Sequence, residues 1–259
     1  MDDKKGIVLS DLHSGHLAGL TPPRFRHYDP KWDRIEAELY ENYEDMVDRN
    51  APYDFLFLLG DLVDGKGSRS GGTELISTDI NKQIDMAVEA INRVPLKEGA
   101  SIIQVYGTPY HVGDEIDYET TISKEIKAKK IGGHEWADVN GIVFDLKHKT
   151  PSTTVPYSKA TGISKERLWN YLWNEHDEQP KAHVFLRGHV HYFFFCGDSN
   201  WTGIICPPLQ GQGSKYGSRQ CMGHIDFGVI YPFVSKEGEF TWDYDVRIIQ
   251  SQKKYPIKI

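Results

Sequence analysis

Five apolar runs, spread over the first 191 residues, each close on an aspartate or a histidine: GIVLSDLH (6–13), FLFLLGD (55–61), SIIQVYGTPYH (101–111), GIVFDLKH (141–148) and HVFLRGHVH (183–191). Runs this apolar, without alternation, suit strands buried on both faces. Between them the spacing changes to that of helices. Trp32, Ile35, Leu39, Tyr43 and Met46 recur on one face, as do Ile80, Ile84, Val88 and Ile91, and more weakly Ile116, Ile122 and Ile126. Ser164 is read as the cap of a fourth helix carrying Leu168, Trp169, Leu172 and Trp173, with Pro180 beyond its end. Strands alternating with helices predict an α/β fold.

After about residue 192 the pattern shifts. GIICPPLQ and HIDFGVIYPFV read as strands, and FTWDYDV alternates with Phe240, Trp242, Tyr244 and Val246 on one side, which predicts antiparallel structure with one wet face. No linker separates the two regions, so residues 1–259 are expected to form one domain, 1–191 bearing the motifs and 192–259 an antiparallel β part. GKGSRSGGTE (65–74) is a loop overhanging a strand end, and KAKK (127–130) is expected to be a solvated last helical turn.

A net charge of −7 argues against tight non-specific coating of DNA, which needs lysine and arginine on phosphates. Cys196, Cys206 and Cys221 lack a C-x-x-C spacing, which points to a reducing, cytoplasmic setting rather than a disulfide framework or a structural zinc site. The sequence MDDKKG lacks a signal-peptide pattern, and no apolar run approaches the ~18 residues of a membrane span.

The strand ends present Asp11 and His13, Asp61, His111, His148, and His189 and His191. Sites in α/β sheets form at the carboxyl ends of strands, so these groups converge if the five runs share a sheet. Carboxylates mixed with imidazoles suit Mn, Fe or Zn, and seven donors exceed the needs of one tetrahedral ion. Two ions sharing Asp61 would use them. His16, His27, His134, His176, His183 and His224 are assigned structural places by default, His16, close behind SDLHSG, being the first exception if any of them faces substrate. Two near misses are set aside. From Gly60 the chain reads G-x-x-x-x-G-K, but Gly67 stands where a phosphate loop needs Ser or Thr. HEWAD (134–138) has Asp138 where a zinc protease needs histidine.

In order, SDLHSG (10–15), GDLVDG (60–65), GTPYH (107–111), LKH (146–148) and GHVH (188–191) resemble the motif series of calcineurin-like metallophosphoesterases. The resemblance implies a two-layer mixed β core flanked by helices, an α/β/β/α sandwich, with a dinuclear site at the C-terminal strand ends. Carried over by position, Asp11, His13 and His191 would hold one ion with Asp61. Asp61 would bridge to a second ion held by His148 and His189, and Asp64 would orient a ligand or the turn. The ions would be divalent transition metals, manganese foremost, with iron, zinc or nickel as alternatives. The third motif departs from the family's Gly-Asn-His: Thr108 stands in place of Asn, and Pro109 and Tyr110 separate it from His111. His111 is either a replacement ligand or the catalytic acid, the latter being favoured. The implied activity is hydrolysis of a phosphate monoester or diester by in-line attack of a metal-bridging hydroxide. The alternatives are a catalytically weak binding or scaffold protein, or a nuclease-like diesterase, for which the charge gives no support. Arg69 and Arg219 are weighed as phosphate contacts, and Arg187 as a structural ion-pair partner.

Overall fold

The computed structural model describes residues 2–68, 70–113, 117–151, 153, 155–213 and 224–258. Ile116, Arg69, Arg219 and Cys221 lie outside the described residues.

Three of the five apolar runs lie side by side in a six-stranded sheet. Strands β1 (Lys4–Leu9), β2 (Tyr53–Leu58) and β3 (Leu96–Val105) are parallel, and β4 (Lys130–Gly132) continues in parallel at one edge. The remaining two runs are β6 (Ile142–Leu146) and β7 (Val184–Arg187) in a second sheet. That sheet has the order β5-β6-β7-β9-β8, with β5 at Glu135–Val139, β8 at Phe194–Asp198 and β9 at Trp201–Ile205. The condition that all five runs share one sheet is therefore not met. The reason lies in β2, where Leu56 and Leu58 face one side and Phe55 and Phe57 the other. Both faces of the first sheet are apolar, so both need a cover. Helices cover one and the second sheet covers the other.

Four layers result. Helices α1 (Pro30–Arg49), α2 (Ile80–Asn92) and α4 (Tyr118–Glu125) bury Leu39, Tyr43, Met46, Ile84, Ile91 and Ile122 against Ile7, Leu9, Leu56 and Leu58. Each large apolar side chain buried this way contributes about 1.5–3 kcal/mol. Asp29, Asp79 and Asp117 start these helices by accepting backbone N–H bonds from Lys31, Asn81 and Thr120. Between the sheets, Val8, Phe55, Phe57 and Val105 meet Phe144, Leu146, Val184, Leu186 and Ile204. Helix α5 (Lys159–Glu175) packs Ile163 on Phe185 and Ile205 at the outer face of the second sheet. Among the described residues no helix is long and apolar enough to cross a membrane.

Several sequence expectations are corrected. The tail is antiparallel in most of its pairings but not throughout, and it divides between the two sheets. β9 pairs antiparallel with β8 but runs parallel to β7, while β10 (Phe227–Val234) and β11 (Phe240–Arg247) join the first sheet beside β1, with the β1–β10 and β10–β11 pairings both antiparallel. Ser164 caps nothing: α5 begins at Lys159, and Ser164 lies inside it. The apolar residues of α5 from Leu168 to Trp173 face solvent, because the buried side is formed by Gly162, Ile163 and Asn170 instead. KAKK is not a helical turn, since α4 ends at Glu125 and Lys130 opens β4.

Glu36 sits on α1 with no exposed surface; one oxygen accepts the His27 N–H at 2.7 Å and the other has no partner. Burial, opposed by that hydrogen bond, pushes its carboxyl up to about 7 from the ordinary 4.5. The folded chain thus holds this proton more tightly than the unfolded chain. The contribution is complete below about pH 4.5 and is lost as pH rises through about 7. Glu36→Gln is expected to remove about 1–3 kcal/mol of this decline, read as a flatter pH dependence of the urea-unfolding free energy. Identical slopes in the two proteins would contradict the assignment.

Candidate metal centre

The parallel strands of both sheets end at one rim, and the chain turns sharply there. Asp11, His13, Asp61, His189 and His191 all have positive φ, between 44° and 75°. They are five of the eight non-glycine residues with positive φ among those described. Such backbone is costly for side chains with a Cβ and clusters where the surroundings enforce it. Here the enforcement is visible. The Asp11 N–H donates to the Gly60 carbonyl and the His13 N–H to the Asp61 carbonyl, which ties the first two turns together. Gly60 itself has φ +82°, and a Cβ there would lie 2.5 Å from the Gly107 nitrogen, so the third turn packs directly on the second.

These turns gather the side chains that the sequence singles out. Asp11, His13 and His191 each offer a donor atom, all within 4.8 Å of one another, and so do Asp61, His148 and His189. A third group, His13, Asp61 and His111, overlaps both through His13 and Asp61. The His148 Nε2 lies 3.1 Å from Asp61 Oδ2, the His13 Nε2 3.9 Å from the same oxygen, and the His191 Nε2 3.3 Å from Asp11 Oδ1. The ring orientations are fixed from behind. The His148 Nδ1–H donates to the Leu59 carbonyl at 2.5 Å and the His13 Nδ1–H to Asp64 Oδ1 at 3.1 Å. In both rings the buried Nε2 makes no well-aligned hydrogen bond; the His148 Nε2 has only the charge contact with Asp61 Oδ2. A buried imidazole nitrogen left without such a bond and aimed at carboxylates is the donor arrangement a divalent cation takes.

Charge is balanced within the cluster. Burial works against ionising Asp11 and Asp61, but His191 beside Asp11 and His148 beside Asp61 outweigh it and hold both well below the usual carboxylate range. The carboxylates reciprocate. Burial lowers the His148 imidazole, yet Asp61 and Asp11 push it up to about 10. Asp11 also accepts bonds from the Ser10 hydroxyl and the His189 N–H.

The variant third motif takes a definite form. Thr108 donates from both its N–H, at 2.7 Å, and its hydroxyl, at 3.0 Å, to Asp61 Oδ1, so it orients the acid. His111 is not at a strand end: β3 stops at Val105, and His111 lies on the single turn α3 (Pro109–Val112). Its Nδ1–H donates to the Asp64 carbonyl at 2.6 Å, and its ring packs edge-on against His13 at 4.6 Å. His16 is buried next to this group, where its Nδ1 accepts the Ala18 N–H. His27, His134 and His183 hold hydrogen bonds away from the cluster.

Glu119, on α4, escaped the sequence reading. It is buried, and its two oxygens accept the Leu62 N–H at 3.0 Å and the Gly107 N–H at 2.6 Å, which straps the second turn to the third. Burial and the Asp61 charge push its carboxyl up to about 7. A glutamate on a helix reads as solvated, so nothing in the sequence marked it. Arg187 is structural. It is fully buried and bonded to Asp145 Oδ1 and Glu166 Oε2, both at 2.6 Å.

Fold and cluster together define an α/β/β/α sandwich with an acid–imidazole centre where the strands of both layers end. No family model matches the sequence, and no curated protein matches it. Solved structures with a similar arrangement include an archaeal phosphodiesterase, at 13% identity and TM-score 0.45, covering 93% of this chain and 99% of that one. They also include the Escherichia coli phosphoesterase Yfce, at 12% and 0.41, covering 92% and 98%. A third is Vps29 from Entamoeba histolytica complexed with Zn²⁺, at 9% and 0.42, covering 93% and 98%. At these values the chemistry has to be decided by the side chains themselves.

Proposed function

We propose that this chain is a metal-dependent phosphoric ester hydrolase. The observation that carries the reading is the pair of buried Nε2 atoms of His13 and His148, neither in a well-aligned hydrogen bond, facing Asp11 and Asp61. In this reading Asp11, His13 and His191 hold one divalent transition-metal ion with Asp61, and Asp61, His148 and His189 hold a second. Such a pair, when bound, supplies Lewis-acid stabilisation of phosphoryl oxygens and eases deprotonation of water.

The chain's own residues supply the rest. Thr108 aims Asp61, its hydroxyl lying 3.0 and 3.1 Å from the two carboxylate oxygens, and Oδ2 also faces His148 and His13. Asp64 and the Leu59 carbonyl accept the Nδ1 protons of His13 and His148, so a cation that displaces the proton the carboxylates favour on Nε2 would meet a lone pair there. Hydrolysis breaks one P–O ester bond, adds OH to phosphorus and returns a proton to the leaving oxygen. His111, with Nδ1 committed to the Asp64 carbonyl, has Nε2 for that proton. A weakly catalytic binding protein is the second reading, favoured by one feature. Thr108 spends both its donors on Asp61, so the second donor set has no side chain at the place where the family resemblance implies an asparagine.

Hydrolysis of a chromogenic phosphate diester and monoester with Mn²⁺, with and without chelator, tests the proposal. Turnover of at least one ester, abolished by chelation, is expected. Inactivity on both while metal analysis shows two bound ions per chain would establish the binding protein instead.

A further inference from the structure

Helix α5 turns its largest apolar side chains outward. Leu168 and Trp169 are each 59% exposed, Leu172 42% and Trp173 39%. Its inner side is held by other means. Ile163 enters the core, and the Asn170 amide donates to the Pro180 carbonyl at 3.0 Å and accepts the Ala182 N–H at 3.0 Å. The tryptophans and leucines are therefore not required to attach the helix. Four such residues on one helix make a contiguous apolar patch of the kind that marks an interface.

The charges around this patch are ordered along the helix. Exposed Lys165 stands at its N-terminal side and exposed Glu175 at its last residue, with exposed Asp177, Glu178 and Lys181 following just beyond the helix. Parallel packing of two such helices would set like charges together. Antiparallel packing about a two-fold axis level with Asn170 does the reverse. Lys165 of each copy comes opposite Glu175 of the other, and Leu168 opposite Leu172. A two-fold contact requires a surface complementary to itself, and this ordering provides it. The net acidic balance of Glu175, Asp177, Glu178 and Lys181 at this end also opposes adsorption to an anionic lipid surface. We infer that the exposed face of α5 is a homodimer interface, in which two copies of this chain pack α5 against α5 antiparallel, with Leu168, Trp169, Leu172 and Trp173 at its centre and Lys165–Glu175 ion pairs at its rim.

Sedimentation equilibrium of the full chain tests this, with circular dichroism confirming that each variant is folded. The wild type is expected to dimerise with a Kd on the order of micromolar. Trp169→Glu, a change at an exposed position, should weaken dimerisation on the order of a hundredfold or more. Lys165→Glu and Glu175→Lys should each weaken it about three- to tenfold at low salt, and the double exchange should restore it. Three results would overturn the inference: a wild type that stays monomeric at its highest soluble concentration, a dimer indifferent to Trp169→Glu, or a double exchange no better than the single ones. Binding of a monomeric wild type to phosphatidylserine-containing vesicles would assign the face to lipid instead.

Discussion

Asp61→Asn is expected to abolish turnover, with a loss on the order of 10³-fold or more in kcat. The substitution keeps the shape of the side chain and removes its charge. Asp61 Oδ1 accepts two bonds from Thr108, and Oδ2 faces the Nε2 atoms of His148 and His13. An asparagine amide must turn its NH₂ group toward one of these sides. Toward Thr108 it sets donor against donor; toward the histidines it removes the shared oxygen on which both donor sets depend. Metal binding should weaken with activity, and calorimetric titration with Mn²⁺ should show at least one site lost or about 10- to 100-fold weaker. Activity equal to wild type would refute a shared role for Asp61. Normal metal binding with lost activity would confine that role to the chemical step.

The second large effect concerns stability. Arg187→Leu is expected to cost about 3–5 kcal/mol, measured by urea unfolding. Arg187 has no exposed surface to speak of, and its guanidinium reaches Asp145 Oδ1, the Asp145 carbonyl, the Leu186 carbonyl and Glu166 Oε2. A leucine fills much of the space but leaves two acids, one of them fully buried, without their main counter-charge. His134 at 2.9 Å from Asp145 and Lys147 at 3.3 Å from Glu166 remain as partial replacements. Arg187→Lys should fall between the two, since a single ammonium cannot bond both acids and both carbonyls at once. A loss below about 1 kcal/mol for Arg187→Leu would mean that His134 and Lys147 suffice.

The sequence was most legible where one physical demand dominates. β1, β2 and the last residues of β3 are buried on both faces, and helices α1 and α2 carry a single apolar stripe, so their residue patterns have one reading. The donors were legible because strand after strand ends in an acid or an imidazole. What did not show was which layer each strand joins. Phe144 and Leu146 in one sheet look the same along the chain as Phe55 and Phe57 in the other, and only packing separates them. Helix α5 misled for a related reason. Its leucine–tryptophan stripe has the spacing of a core face, while its attachment rests on Ile163 and an amide, Asn170, that reads as polar surface. Glu119 and Thr108 act through backbone N–H groups and a neighbour's carboxylate, contacts that no local pattern encodes.

The donor sets straddle the two sheets. Asp11, His13 and Asp61 follow strands of the first, and His148, His189 and His191 follow strands of the second. Any cation shared between them would rivet one half of the sandwich to the other. Ligand supply would then govern mechanical cohesion as well as reactivity, because ions that engage only the assembled rim draw the folding equilibrium toward it by mass action.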